Sequence, residues 1–109
     1  KARFSAGVLS TSIILLSFKD SGILNQSSEI KLINTGTKKN NSYSLNSIAK
    51  STSSAGDNIA INLGTEIYFI NTKGWLKKKY VAEEEIRNII VSDRIAAIVF
   101  RDKVEILVL

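Results

Sequence analysis

The chain repeats itself after 37 residues, and this repeat constrains the fold more than any other feature of the sequence. The segment 29–35, Glu-Ile-Lys-Leu-Ile-Asn-Thr, recurs at 66–72 as Glu-Ile-Tyr-Phe-Ile-Asn-Thr, with five of the seven residues identical. The same shift carries the apolar residues of 59–63 onto those of 96–100. A repeat of this length predicts one supersecondary unit that is used several times.

Signals for β-strands dominate each unit, and helical periodicity is nearly absent. Runs rich in Ile, Val, Leu and Tyr are separated by clusters of Ser, Asn, Asp and Gly. The clearest predicted strands are 12–18, 29–34, 58–63, 66–71, 86–92, 94–100 and 103–109, and the weaker ones are 42–45, 47–51 and 76–81. A long loop is expected to run through Ser28. Two-residue links at Gly64-Thr65 and Arg101-Asp102 predict antiparallel hairpins.

Four short antiparallel strands in about 40 residues are typical of a β-propeller blade. We therefore predict an all-β fold of consecutive four-stranded blades, covering approximately residues 1–45, 46–82 and 83–109. Known propellers close with at least about four blades, so nearly three blades form an incomplete propeller. We expect the chain to be a fragment of a longer polypeptide, or to associate with another copy through open blade edges. A small β-sandwich or barrel is the alternative that the length permits.

The composition excludes several kinds of site. The sequence contains no Cys and no His, which removes disulfides, thiolate metal ligands and histidine bases. Because 44% of the residues are apolar, a globular β protein is favoured over disorder. The apolar stretch 7–18 is shorter than the ~20 residues of a membrane helix and contains three hydroxyl side chains, so we predict a strand there. We expect no catalytic residue, metal or cofactor.

A basic and aromatic cluster follows Gly74. Its candidate binding residues are Trp75, Lys77, Lys79 and Tyr80, which suit an anionic or nucleic-acid ligand. The preferred interpretation is structural: Gly74 supplies a turn, Trp75 caps the blade, and the lysines face water and protect an outer strand edge. The net charge of +5 is dispersed, and the acidic run 83–85 follows directly, so nucleic acid is not an expected partner.

Two other polar segments receive structural interpretations. Glu83, Glu84 and Glu85 lack the spacing of a calcium-binding loop, so we predict a solvated connection between blades. The serine-rich segment 51–56 lacks the spacings of a phosphate-binding loop and of a nucleophile-bearing turn. We predict that it is a flexible loop between two strands.

The last half of the chain also resembles a known family. The resemblance is carried by Gly74-Trp75-Leu76-Lys77-Lys78-Lys79-Tyr80, by 86–93 and by 101–107. These segments resemble the C-terminal part of an uncharacterised family of bacterial propeller-like proteins, a domain of unknown function. The resemblance implies an N-terminal transmembrane anchor followed by an extracytoplasmic propeller, and it transfers no catalytic residue. Membrane attachment would require a segment absent from this chain.

The expected function is that of an interaction module or scaffold whose propeller face or edge binds a protein, a peptide or a cell-surface glycan. The alternatives are an enzyme with its site in a central channel, or a β domain that binds an anionic ligand or nucleic acid. A catalytic channel would gather carboxylates or tyrosines at the starts of the inner strands. Those positions are mainly Ile, Ala, Ser and Asn, so we do not expect an enzyme.

Overall fold

The computed structural model describes residues 2–10, 13–21 and 26–109, with side chains described at Lys19 and from Gln26 onwards. The described residues form eleven β-strands and no helix. The strands are β1 Ala2–Ser10, β2 Ile13–Ser21, β3 Gln26–Asn34, β4 Asn40–Leu45, β5 Ser51–Ala55, β6 Asn58–Asn62, β7 Glu66–Ile70, β8 Leu76–Val81, β9 Asn88–Val91, β10 Ile95–Val99 and β11 Val104–Val108. The all-β prediction is confirmed. A search of this part of the chain finds no apolar helix of membrane-spanning length.

The strands form three antiparallel sheets in which chain neighbours lie side by side. The first sheet has the order β1-β2-β3-β4, the second β5-β6-β7-β8 and the third β11-β10-β9. The two predicted hairpins are confirmed, because β6 pairs with β7 across Gly64-Thr65 and β10 pairs with β11 across Arg101-Asp102. Each sheet is therefore a meander built from consecutive strands.

The 37-residue repeat is preserved in the register of the strands. Three pairs of opposite residues become three other observed pairs when both members are shifted by 37. These are Ile59–Ile70 and Ala96–Leu107, Ser51–Asn62 and Asn88–Val99, and Glu29–Ser44 and Glu66–Val81. The sequence repeat is thus a structural repeat, since side chains at equivalent positions lie on equivalent faces of their sheets.

The β2–β3 hairpin departs from the repeat by being longer. Each of its strands has nine residues, whereas β6 and β7 have five each. Pairing continues from Ile13–Asn34 to Ser21–Gln26. The predicted long loop through Ser28 is therefore wrong, because extended pairing takes up those residues. Of the predicted strand 12–18, residue 12 lies outside the described residues.

The start of the second sheet also differs from the prediction. The strand expected at 47–51 lies instead at Ser51–Ala55, and the serine-rich segment interpreted as a flexible loop is this strand. It pairs along its whole length with β6, every residue of which is buried. Small polar residues have weak strand propensity, so pairing with β6 decides the conformation here. Of the apolar stretch 7–18 that was predicted to be a strand, residues 7–10 lie in β1 and residues 13–18 lie in β2, while 11 and 12 lie outside the described residues.

The chain divides into two compact units. One contains Lys1–Ala49 and Thr72–Trp75, and the other contains Lys50–Asn71 and Leu76–Leu109. Buried apolar residues of the first unit include Ile30, Leu32, Leu45 and Ala49. In the second unit, one core joins the second sheet to the third and consists of Ala60, Ile67, Phe69, Ile86, Ile89, Ala96, Ile98 and Phe100.

Candidate binding site

Asn34 builds the turn that joins β3 to β4. Its side-chain oxygen accepts hydrogen bonds from the backbone N–H groups of Gly36 and Thr37, at 2.9 and 3.1 Å. Its own N–H donates to the carbonyl oxygen of Lys39 at 2.9 Å. Lys38 adopts a φ of 60°, which is uncommon for a residue other than glycine. Asparagine side chains stabilise such turns because their oxygen accepts hydrogen bonds that a backbone carbonyl would otherwise accept. The turn places Thr37 and Lys39 at the end of the first sheet.

The turn between β7 and β8 depends on Gly74. Its φ is 83°, and a Cβ atom at this position would lie 2.8 Å from the carbonyl oxygen of Ser42. Only glycine fits both the positive φ and the close approach, so the prediction that Gly74 supplies a turn is confirmed. The turn carries Lys73 and Trp75. The ammonium of Lys73 lies 5.4 Å from the centre of the Trp75 ring, and 65% of Trp75 is exposed.

These two turns border a cleft of about 300 Å³ in the first unit. Its lining residues are Leu32, Asn34, Thr37, Lys39, Asn41, Thr72 and Lys73. Leu32 is buried and supplies an apolar wall, while amide, hydroxyl and ammonium groups supply polar contacts. A concave apolar surface with a few polar groups is the usual form of a ligand site. The cleft can therefore accept a small group, and its two lysines favour an anionic one.

The other predicted site residues lie on β8 in the second unit, and the structure does not bring them together. Lys77 donates a hydrogen bond to Oδ1 of the buried Asn58 at 2.5 Å. The ammonium of Lys79 lies 4.8 Å from the ring centre of Tyr68. Tyr80 points to the face of the sheet opposite Lys79, where its hydroxyl donates to Glu105. The depression beside Lys77 measures about 80 Å³, well below the size of a usual ligand site.

The position of β8 agrees with the structural interpretation of its lysines. This strand is the edge strand of the second sheet, and its three lysines are exposed. One of them also donates a hydrogen bond, from Lys78 Nζ to the carbonyl oxygen of Val108 at 3.0 Å. Lysines on an edge strand oppose pairing with other chains, because pairing would bring their charges together away from water.

The hydrogen bond between Tyr80 and Glu105 shifts the pKa values of both groups. The hydrogen bond to Glu105 raises the pKa of Tyr80 to about 12, with contributions from burial and from the charges of Glu105 and Glu83. The same bond lowers the pKa of Glu105, and a hydrogen bond from Lys103 lowers it further. The hydrogen bond stabilises the neutral phenol of Tyr80 and the charged carboxylate of Glu105, which are the forms present at neutral pH. The pair therefore links β8 to β11.

The acidic run 83–85 lies in the connection between β8 and β9, as predicted. Glu85 pairs with Lys50 at 3.4 Å and Glu84 with Lys103 at 4.0 Å, and all four side chains are largely exposed. Over residues 26–109 and Lys19, no three acidic side chains converge as metal ligands. These exposed ion pairs each contribute little to stability.

The sequence contains one signal for the cleft, at the end of the repeated segment. Asn34-Thr35 and Asn71-Thr72 are the end of the repeated segment, and each leads into one of the two turns. The repeat therefore marks both turns, but a 37-residue separation gives no indication that they border one cleft. Of the predicted site residues, only Trp75 belongs to this unit.

Comparison with known proteins decides the family. A family model matches residues 2–109, which is nearly the whole chain. The chain belongs to DUF5711, a family of unknown function. Membership in DUF5711 confirms that the chain is part of an uncharacterised family. No curated protein matches this DUF5711 chain.

Proposed function

We propose that this DUF5711 chain is a β-propeller-like interaction module that binds a protein or peptide partner and is not an enzyme. The observation that carries the proposal is the cleft of about 300 Å³ at the two repeat turns, with Lys39 and Lys73 in its lining and the exposed Trp75 beside Lys73. Sites of this kind sit on a rigid scaffold, which the paired strands supply here.

The propeller part of the proposal is supported by the three meanders. They span Ala2–Leu45, Ser51–Val81 and Asn88–Val108, which fits blades at 1–45, 46–82 and 83–109. Blades of a propeller are four-stranded antiparallel sheets in chain order. Two of the sheets have four strands, and the third has three within the described residues. From its family resemblance we also propose that the module is extracytoplasmic, on a membrane-anchored bacterial protein.

The chemistry of the cleft favours an acidic peptide as the ligand. Two ammonium groups attract carboxylates, and Asn41 and Thr37 offer further polar groups. An exposed tryptophan adds a large apolar surface at little entropic cost, which is why this residue type is common at binding hot spots. The net charge of +5 would further speed the encounter with an acidic partner.

The absence of enzymatic activity in the proposal rests on the titratable groups. Tyr80, Lys103 and Glu105 have shifted pKa values, and each of them is held by a hydrogen bond or ion pair within this group of three. A catalytic acid or base must be accessible to the substrate proton and must have a pKa near the working pH. This network instead joins β8 to β11.

An NMR titration tests the proposed site. The probe is N-acetyl-tetraglutamate amide, with N-acetyl-tetraglutamine amide as the neutral comparison. We expect the acidic probe to shift the resonances of Lys39, Lys73 and the Trp75 indole, and the neutral probe to shift them much less. The double variant K39A/K73A should weaken binding at least tenfold, which corresponds to about 1.4 kcal/mol.

The control variant is K79A/R87A, which removes two positive charges from exposed positions of the second unit. It should bind the acidic probe as the parent chain does. If both double variants weaken binding equally, the attraction depends on net charge and the cleft is not the site. Equal shifts by the neutral probe would instead indicate recognition of amide or hydroxyl groups, as for a neutral glycan.

A further inference from the structure

The third sheet has one covered face and one open face. On the open face, five apolar side chains are between 41% and 68% exposed: Ile90, Ile95, Val104, Ile106 and Val108. Strand register places them together, because Ile95 lies opposite Val108 and Ala97 lies opposite both Ile90 and Ile106. We call these five residues the tail face. A contiguous exposed apolar surface of this kind marks an interaction site.

The repeat shows what covers such a face. The residues 37 positions before Ile95, Val104 and Ile106 are their equivalents in the second sheet. These equivalents, Asn58, Ile67 and Phe69, are all buried. The core of the second unit covers Ile67 and Phe69 with residues from the opposite face of the third sheet, including Ile89, Ala96 and Ile98. The packing of the second sheet on the third is therefore an interface of the kind that could cover the tail face.

The first sheet has a face at the same repeat positions as the face of the third sheet that packs on the second sheet. In the first sheet this face is partly exposed. In the third sheet, Leu107 lies opposite Ala96, on the face that packs on the second sheet. The residues equivalent to Leu107 in the two preceding repeats, 37 and 74 positions earlier, are Ile70 and Ile33. Ile70 is fully buried, whereas Ile33 is partly exposed. Lys31 and Glu29 alternate with the buried Leu32 and Ile30, and their side chains are 45% and 42% exposed. We call Glu29, Lys31 and Ile33 the head face.

We propose that the tail face of one chain packs on the head face of a second copy of the same chain. The pairing continues the established packing of the second sheet on the third, since both surfaces occupy the equivalent repeat positions. Such a head-to-tail interface is heterologous, so it closes into a ring or extends into a filament. Two copies contain six sheets, which lies within the four to eight of closed propellers. The proposal goes beyond the peptide site and does not depend on the cleft or its ligand.

Sedimentation and light scattering at several concentrations test the association. The parent chain, of 12.0 kDa, should show about twice this mass or more as concentration rises. The variants I106E, in the tail face, and I33E, in the head face, should each remain at the monomer mass. Circular dichroism checks that they are folded, and V104E replaces I106E if that variant is not. V81E, which charges an exposed residue outside both faces, should associate as the parent does.

Mixing the two variants provides the decisive measurement. An equimolar mixture of I106E and I33E contains one intact tail face, on I33E, and one intact head face, on I106E, so it should form a dimer. If I33E associates on its own while I106E does not, tail faces pair with each other and the proposal is wrong. A parent chain that stays monomeric at every concentration would also overturn it. None of these outcomes changes with peptide binding, so failure here is distinct from failure of the cleft.

Discussion

The Tyr80 hydroxyl donates a hydrogen bond to the Glu105 carboxylate, and this bond joins the edge strand of the second sheet to the last strand of the third. Lys78, on the same face of β8 as Tyr80, donates to the carbonyl oxygen of Val108. Two polar links therefore border the apolar core of the second unit. Lys103 completes the network, with its ammonium 3.2 Å from Glu105.

The Tyr80–Glu105 pair predicts a specific dependence of stability on pH. The folded pKa of Tyr80, about 12, is above its ordinary value of 10.0, so folding favours the neutral phenol. Its contribution is complete below pH 10 and is lost as the pH rises from 10 to 12. The pKa of Glu105 is lowered by folding, so its contribution is present above the ordinary value of 4.5 and is lost as the pH falls below it.

The substitution Y80F tests this dependence. At neutral pH we expect Y80F to unfold at a lower urea concentration than the parent, and the difference should shrink at both pH extremes. Ultraviolet titration should reveal one phenol that ionises near pH 12 in the parent and is missing in Y80F. Y68F leaves the pair intact and should retain that component. A stability difference that stays constant between pH 7 and 12 would contradict the assignment.

Ser28 is a buried hydroxyl whose removal should destabilise the first unit. Its Oγ donates to the carbonyl oxygen of Ser47 at 2.7 Å and accepts from the N–H of the buried Ala49 at 2.8 Å. The substitution S28A leaves both backbone groups without this partner, which costs about 1–3 kcal/mol. Urea unfolding measures the loss. The matched control is S27A at the exposed neighbour, and equal effects of the two substitutions would refute the role of Ser28.

The elements that could be predicted from the sequence are those in which local pattern and tertiary packing agree. Ile67 and Phe69 alternate along β7, recur at the 37-residue period and lie in the core. The repeat thus predicts both the strand and its register. By contrast, Ser53 and Ser54 lie in β5, where Ala55 is the one apolar residue, so no apolar alternation indicates a strand. Their pairing with β6 is a tertiary effect that the local sequence does not encode.

The candidate site was harder to predict, for two physical reasons. Lys79 and Tyr80 are neighbours in sequence, but successive residues of a strand point to opposite faces, so a compact cluster in the sequence is divided in space. The cleft has the opposite character. Asn34 and Thr72 are far apart in sequence, and the fold of the first unit places both in its lining.

Gly74 should not tolerate a side chain. In G74A the new Cβ would lie 2.8 Å from the carbonyl oxygen of Ser42 and the residue would have to keep a φ of 83°. Strain at such a position costs about 1–3 kcal/mol, so thermal unfolding should begin at a lower temperature. The comparison is G36A, whose Cβ would meet only the Asn34 side chain, at 3.3 Å, and which does not require a positive φ. A G74A variant as stable as G36A would show that the turn can move away from Ser42.

Phe69 is the large side chain on which the packing of the second sheet on the third should depend most. It is almost completely buried in the core that also contains Ala96 and Ile98, and Ala60 lies opposite it on β6. The substitution F69A removes most of its apolar surface and leaves a cavity, which costs about 3–5 kcal/mol. V81A, on the exposed side of the second unit, should change stability by less than about 1 kcal/mol. Guanidinium unfolding of both variants measures the difference. If F69A and V81A lose stability equally, the two sheets do not share this core, and the basis for head-to-tail packing of the same repeat faces would be lost as well.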